Sequence, residues 1–196
     1  MSNWLKASVF ALILMCVSAM AAGTDGERIV GRVGDVNVTA DDLAKAKTPD
    51  QVFVRPAMTK YFESRKELIT PTEEELKIVQ ENIRTKMRQM KAEGNHSMDN
   101  VDPEFIAKFL LAGWKYNTYL YDNFGGGRLL FQQAGVEAFD ATHEFLKYLE
   151  KEGYFHIEDE EVRDSVFAYW TRDHGAFIMD NEEQVKKWRD IQNLGR

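Results

Sequence analysis

The sequence predicts a mainly α-helical fold with a small N-terminal β-hairpin, preceded by a signal peptide. Three observations carry this. Two long stretches, 71–93 and 103–124, set their apolar residues at helical spacing between capping residues and glycine stops. Ile29–Val33 and Val36–Val38 alternate apolar with other residues around Gly34-Asp35, a hairpin pattern. Ala7–Val17 is an almost unbroken apolar run behind Lys6.

That first run is short for a mature anchor across a bilayer of about 30 Å. Ala19-Met20-Ala21 supplies an A-x-A cleavage pattern, so residues 1–22 read as a signal peptide and 23–196 as a single mainly helical domain. Cys16 follows Met15, whereas a lipoprotein signal needs a small residue there. The expectation is a periplasmic or secreted protein with no stable membrane anchor after cleavage. Cys16 is the one cysteine, so the mature chain is free of disulfides, thiolate chemistry and Cys-ligated zinc. The formal net charge is −7, from 25 basic and 32 acidic residues, which argues against broad nucleic-acid binding.

After the hairpin, Thr39 caps a short helix from Ala40, with Asp42 at the third helical position. Pro49 and Pro56 punctuate the next stretch, with Val52-Phe53-Val54 extended and Met58–Leu68 helical. Thr70 then caps the first long helix, Pro71 takes its first turn, Glu73 completes a capping box, and Gly94 stops it. Its apolar residues Leu76, Val79, Ile83, Met87 and Met90 form one narrow stripe along roughly 35 Å of helix.

Asp102-Pro103 opens the second long helix. Phe105, Ile106, Phe109, Leu110, Trp114, Tyr116, Leu120, Tyr121 and Phe124 spread around most of its wheel, which predicts a buried central helix, 103–124. Gly125-Gly126-Gly127 breaks it, and Arg128–Ala134 is of open type. Helices are then expected over 136–152, 160–172 and from 182, with Tyr154–Ile157 extended between the first two and Asn181 capping the last.

Chemistry-bearing patterns are few. No two of His96, His143, His156 and His174 stand at i, i+3 or i+4, so no helix offers a paired imidazole site, and no metal or cofactor is implied. His143 follows Asp140 by three residues on an apolar stripe, an acid/base pair or a structural hydrogen bond. Ser64, Ser97 and Ser165 lie in no nucleophile motif. The acidic runs at 73–75 and 158–161 sit at helix starts, where negative charge suits the helix dipole. Gly125–Gly127 with Arg128, Gln132 and Gln133 is the least ordinary stretch, offering backbone N–H groups beside a guanidinium. A specific site is expected there, together with Trp114 and Tyr121 on the preceding helix.

Val30–Thr39 followed by Asp41-Asp42-Leu43 resembles the opening of SurA-like periplasmic chaperones and parvulin-type foldases. Ile69-Thr70-Pro71-Thr72-Glu73-Glu74-Glu75-Leu76 is similar to the entry of their later helices. The resemblance spans 28–93, leaving 94–196 as a helical part around the central helix. The hallmark histidines and the Gly/Phe-rich core of the parvulin catalytic domain are absent, so prolyl isomerase activity is not carried over. What the resemblance implies is a chaperone-like or peptide-binding domain of the bacterial envelope.

The leading expectation is therefore an exported envelope protein that binds unfolded or extended polypeptide without catalysis. Its partner is a protein or peptide client, or a second copy of itself. The stripe Leu76, Val79, Ile83, Met87 and Met90 is the expected groove, bordered by adaptable methionines. Two alternatives stay open: a structural or assembly subunit of an envelope complex, and an enzyme with a site around His143 or Arg128.

Overall fold

A computed structural model describes residues 26–132 and 135–196. The signal-peptide reading, with Lys6, Cys16 and the cleavage pattern, and the candidate Gln133 lie outside the described residues. The fold is mainly α-helical, with a small antiparallel strand set at the N-terminus, as the sequence predicts. Among the described residues no helix is long and apolar enough to cross a membrane. The chain divides into two compact units that interleave along the sequence: residues up to Lys60 with Leu149–Val166, and Tyr61–Tyr148 with Phe167–Arg196.

In the first unit, β1 (Ile29–Val33) pairs antiparallel with β2 (Val36–Thr39) around the Gly34 turn. The hairpin gains a third strand from far along the chain, β5 (Phe155–Ile157), which pairs with β1 to give the order β2-β1-β5. Thr39 ends β2 and caps α1 (Ala40–Lys45). Its hydroxyl accepts from the Asp42 N–H while the Asp42 carboxylate accepts from the Thr39 N–H, so the expected Thr39 cap is completed into a capping box. Val30, Phe53, Ala57, Leu149, Phe155 and Ile157 are buried here. Val52–Val54 is not extended. A 3₁₀ turn at Pro49–Gln51 leads into α2 (Val54–Glu63), because Pro56 falls in a first helical turn, where its missing N–H costs nothing.

In the second unit, α3 (Lys66–Ile69) precedes the two long helices, α4 (Glu73–Ala92) and α5 (Pro103–Asn123). The cap of α4 is Thr72 with Glu75, not Thr70 with Glu73. Both pairs have the same spacing, and Thr70 instead donates its hydroxyl to the Lys66 carbonyl at 2.6 Å. Pro71 therefore stands outside the helix. Gly94, with φ of 80°, follows the end of α4 as expected.

The outer part of α5 corrects the reading of a helix buried all round. Only Ala107, Leu111 and Leu120 are fully buried, while Phe105 is 69% and Phe109 57% exposed. A broad apolar arc describes what a helix offers; here α4 covers one side of it only.

Two further elements depart from expectation. Arg128–Ala134 contributes a strand, β3 (Leu129–Gln132), and 135–137 forms β4 (Gly135–Glu137) rather than the start of a helix, so α6 begins at Phe139 and runs to Lys151. After α7 (Glu160–Thr171) and a 3₁₀ turn at Gly175–Phe177, β6 (Ile178–Met179) joins β3, giving a second sheet of order β4-β3-β6. Helix α8 (Glu182–Arg189), capped by Asn181, and a 3₁₀ turn at Ile191–Asn193 follow.

Phe145 is fully buried in this unit, with ring centroids of Tyr61 at 4.9 Å and Phe124 at 4.8 Å. Such edge-on and tilted aromatic contacts add about 0.5–1.5 kcal/mol each beyond area burial.

Candidate functional site

The expected groove is filled by the chain itself. Val79 and Ile83 are buried against Ala107 and Leu111, with Leu76 and Met87 packed around them. Ile106, Leu110 and Trp114 of α5 and Ile191 and Leu194 of the C-terminal segment complete the cover. Met90 is half-buried near the end of α4. The stripe therefore packs the two long helices together, and its partners at 191 and 194 are too distant in sequence for periodicity to reveal. Asn82 fastens that cover, its amide donating to the Gln192 and Leu194 carbonyls at 3.0 Å each.

Trp114 and Tyr121 seat α8. The Trp114 indole N–H donates to the Trp188 carbonyl at 2.8 Å, and the Tyr121 ring meets Trp188 edge-on at 5.7 Å. Arg189 lies 5.6 Å from the Tyr121 ring and 2.7 Å from the Asp122 carboxylate. Beside them, Tyr121, Gly127, Asp180, Glu182, Val185, Lys186 and Arg189 line a cleft of about 540 Å³.

The glycine turn leads from α5 to β3. At Gly127 (φ 90°) a Cβ would stand 2.6 Å from a carboxylate oxygen of Asp140, so the bare backbone there lets that carboxylate approach. Asp140 accepts the Arg128 N–H at 2.8 Å and the Arg128 guanidinium at 2.8 Å from Nη2 and 3.1 Å from Nε. The guanidinium also lies 5.3 Å from the Phe139 ring centroid. Arg128 is thus matched by a carboxylate of its own chain. Burial pushes the Asp140 carboxyl up, but the Arg128 hydrogen bonds and charge prevail and hold it below the usual range. Asp140 faces Arg128 in this way, and the His143 ring meets Phe167 edge-on at 5.9 Å.

Gln132 belongs to a polar group that the sequence does not single out. Its amide donates to the Glu137 carboxylate across the β3–β4 hairpin and to the Tyr169 hydroxyl at 2.7 Å. The Tyr169 hydroxyl in turn reaches Glu137 at 3.5 Å. Burial pushes the Glu137 carboxyl up, against the opposing effects of the Tyr169 hydrogen bond and of His174. Tyr116 is likewise pushed up, by burial first and then by the Glu137 charge. His174 places Nε2 3.0 Å from the Tyr169 carbonyl oxygen and its ring 5.1 Å from that of Phe139. This arrangement favours the neutral form of the Glu137 carboxyl more than water does. Among the described residues no three His, Cys, Asp or Glu side chains converge as a metal ion would need.

The same small sheet carries exposed aromatic surface. Phe131 is 56% and Phe177 63% exposed. Strands β3 and β6 pair Leu129 with Met179 and Leu130 with Ile178; Phe131 is the next residue of β3, and Phe177 closes the 3₁₀ turn that leads into β6. On the other side Phe131 pairs with Val136 of β4. Phe131 and Phe177 thus lie exposed just past the same end of the β3–β6 ladder. Phe131 and Phe177 were invisible together because 46 residues separate them; only the β3–β6 ladder brings their neighbours Leu130 and Ile178 side by side.

Fold and site together define a mainly α-helical protein with two small antiparallel sheets, one of which has two solvent-facing phenylalanines at one end of a strand ladder. Compared with family models, with characterised proteins and with solved structures, the chain matches none.

Proposed function

We propose that this protein is exported to the envelope and binds unfolded or extended polypeptide without catalysis, using the exposed Phe131 and Phe177. The observation that carries the reading is the exposure of two phenylalanines just past the same end of one strand ladder, Phe131 on β3 and Phe177 in the turn before β6. Large apolar side chains grouped at the surface mark interaction sites more often than isolated ones do. The flanking strands suit an extended client, since β4 has three residues and β6 two, leaving short edges to which a peptide backbone can add. The resemblance of residues 28–93 to SurA-like chaperones supports the same class. The two phenylalanines replace the α4 stripe as the site, because that stripe is occupied by the chain's own helix and C-terminal turn.

The test is suppression of aggregation of a chemically unfolded protein. The double variant Phe131→Ser/Phe177→Ser should lose suppression at least about tenfold while keeping its melting temperature, because exposed rings lose little packing. Unchanged suppression by the stably folded double variant would refute the reading, as would a wild-type protein that suppresses nothing.

A further inference from the structure

We propose that α5 also docks on α5 of a second copy of this chain, antiparallel, across a two-fold axis at Phe109. This surface is separate from Phe131 and Phe177, and the inference does not depend on client binding.

Phe105, Phe109, Ala112 and Gly113 follow one another at helical spacing and are all exposed. They form an apolar strip on the side of α5 that α4 leaves open. Gly113 is the unusual member. Glycine in a helix interior is destabilising relative to alanine. Here a Cβ would meet nothing within 4 Å, so the folded monomer gives no reason for its absence. A missing Cβ beside two exposed phenylalanines makes a notch into which a large side chain or another backbone can settle.

The strip is self-complementary. Phe109 stands four residues after Phe105 and four before Gly113. Turn a second α5 antiparallel about Phe109, and Phe105 of each copy falls over Gly113 of the other. The two Phe109 rings meet at the axis. Phe105 of each copy then has its hole on the other and Phe109 meets its own counterpart, the reciprocal contacts that an isologous interface requires. Charge also permits it. Glu104 and Lys108, beside the strip, pair with each other at 2.6 Å within one copy, so no uncompensated like charge is brought together despite the net charge of −7.

The area sets the strength. With 69% and 57% exposure, and about 200 Å² per phenylalanine, the two rings show about 250 Å². With their neighbours, both copies together bury roughly 800 Å², below the about 1,200–2,000 Å² of stable complexes. The dimer is therefore weak and reversible, with a dissociation constant in the range of about 10 µM to 1 mM.

Sedimentation equilibrium of the purified exported protein over that concentration range tests this. Wild-type protein should pass from monomer to dimer, and added salt should not dissolve the dimer. Phe109→Lys sets two like charges against each other at the axis, and Gly113→Leu fills the notch. Each should weaken association at least tenfold with unchanged circular dichroism, the melting temperature holding for Phe109→Lys and holding or rising for Gly113→Leu, which replaces a helix-interior glycine. Because the mature chain has no cysteine of its own, Phe109→Cys should form an intermolecular disulfide under mild oxidation. A wild-type protein that stays monomeric throughout overturns the proposal. So does a dimer that persists in the folded Phe109→Lys and Gly113→Leu variants, which would place the interface elsewhere.

Discussion

Glu75 and Lys115 join the two long helices through a largely buried ion pair. The ammonium donates to both carboxylate oxygens, at 2.9 and 2.8 Å, with the two side chains 24% and 15% exposed. Glu75 also accepts the Thr72 N–H at 2.7 Å, so the carboxylate that closes the α4 capping box also receives the lysine of α5.

Removing Lys115 should therefore do more than delete a surface charge. Burial alone pushes the Glu75 carboxyl up, and the hydrogen bonds from Lys115 and Thr72 turn the balance and hold it low. A depressed folded value means stability that is present above the ordinary carboxylate range and lost as the pH falls through the folded value. Lys115→Ala should cost about 2 kcal/mol at neutral pH, measured by urea unfolding. The loss should shrink in acid, where Glu75 is protonated. A variant as stable as wild type at pH 7 would mean that the pair contributes nothing net.

The two faces of α5 should respond oppositely to truncation. Leu111→Ala and Ile83→Ala open cavities in the α4–α5 seam and should cost about 2–5 kcal/mol each. Phe109→Ala should cost less than about 1 kcal/mol, since its ring already faces solvent. Equal losses at Leu111 and Phe109 would show that the outer face is covered in solution.

That contrast also marks how far the sequence could be read. Local chemistry was legible: the Thr39 cap, the helix start at Asp102-Pro103, the Gly94 stop and the period of the Leu76–Met87 stripe all depend on near neighbours. Choosing Thr72 over Thr70 was not legible, because two Thr-x-x-Glu pairs overlap and only the Lys115 contact favours Glu75. Strands β4 and β6 are too short to show a period of two, so the second sheet was missed. With it went the placing of Phe131 and Phe177 at the same end of one ladder. Gln132 stood out in the sequence, yet its partners Glu137 and Tyr169 emerge only when β3, β4 and α7 come together.

Glu137 should make the protein's stability depend on pH in the opposite direction to Glu75. Its carboxyl is pushed up by burial, and around it stand Gln132 on β3, Tyr116 on α5, Tyr169 on α7, and His174. A raised folded value means that the contribution is complete below the ordinary carboxylate value and is lost as the pH rises through the folded one. Glu137→Gln keeps the shape and accepts the Gln132 amide through its own oxygen, but cannot ionise. The variant should match wild type below the ordinary carboxylate value and become progressively more stable than it as the pH rises through the folded value. Thermal unfolding at steps between about pH 4 and 8 measures the difference. A difference that stays constant with pH would show that Glu137 titrates alike in the folded and unfolded chain.

Gly31 should be among the least replaceable residues of the first unit. It lies in β1 where the register with β2 shifts between Ile29 and Gly31, and it pairs with Ile157 of β5. A Cβ at this position would collide with the His156 carbonyl oxygen and stand 2.7 Å from Cε1 of the fully buried Phe53. Neither neighbour can yield cheaply. The carbonyl belongs to the backbone of the paired strand, and the ring is held in the core. Gly31→Ala must therefore separate β5 from β1 or displace Phe53, at about 1–3 kcal/mol or more for overpacking alone. Gly113→Ala is the control: it adds the same methyl where nothing lies within 4 Å, and should stabilise the helix by about 0.5–1 kcal/mol. If Gly31→Ala unfolds at the same urea concentration as wild type, β5 does not approach β1 as closely as described. Amide hydrogen exchange localises the damage, because the Gly34 N–H, bonded to the Tyr154 carbonyl at 2.9 Å, and the Glu158 N–H, bonded to that of Val30 at 2.9 Å, should lose protection first.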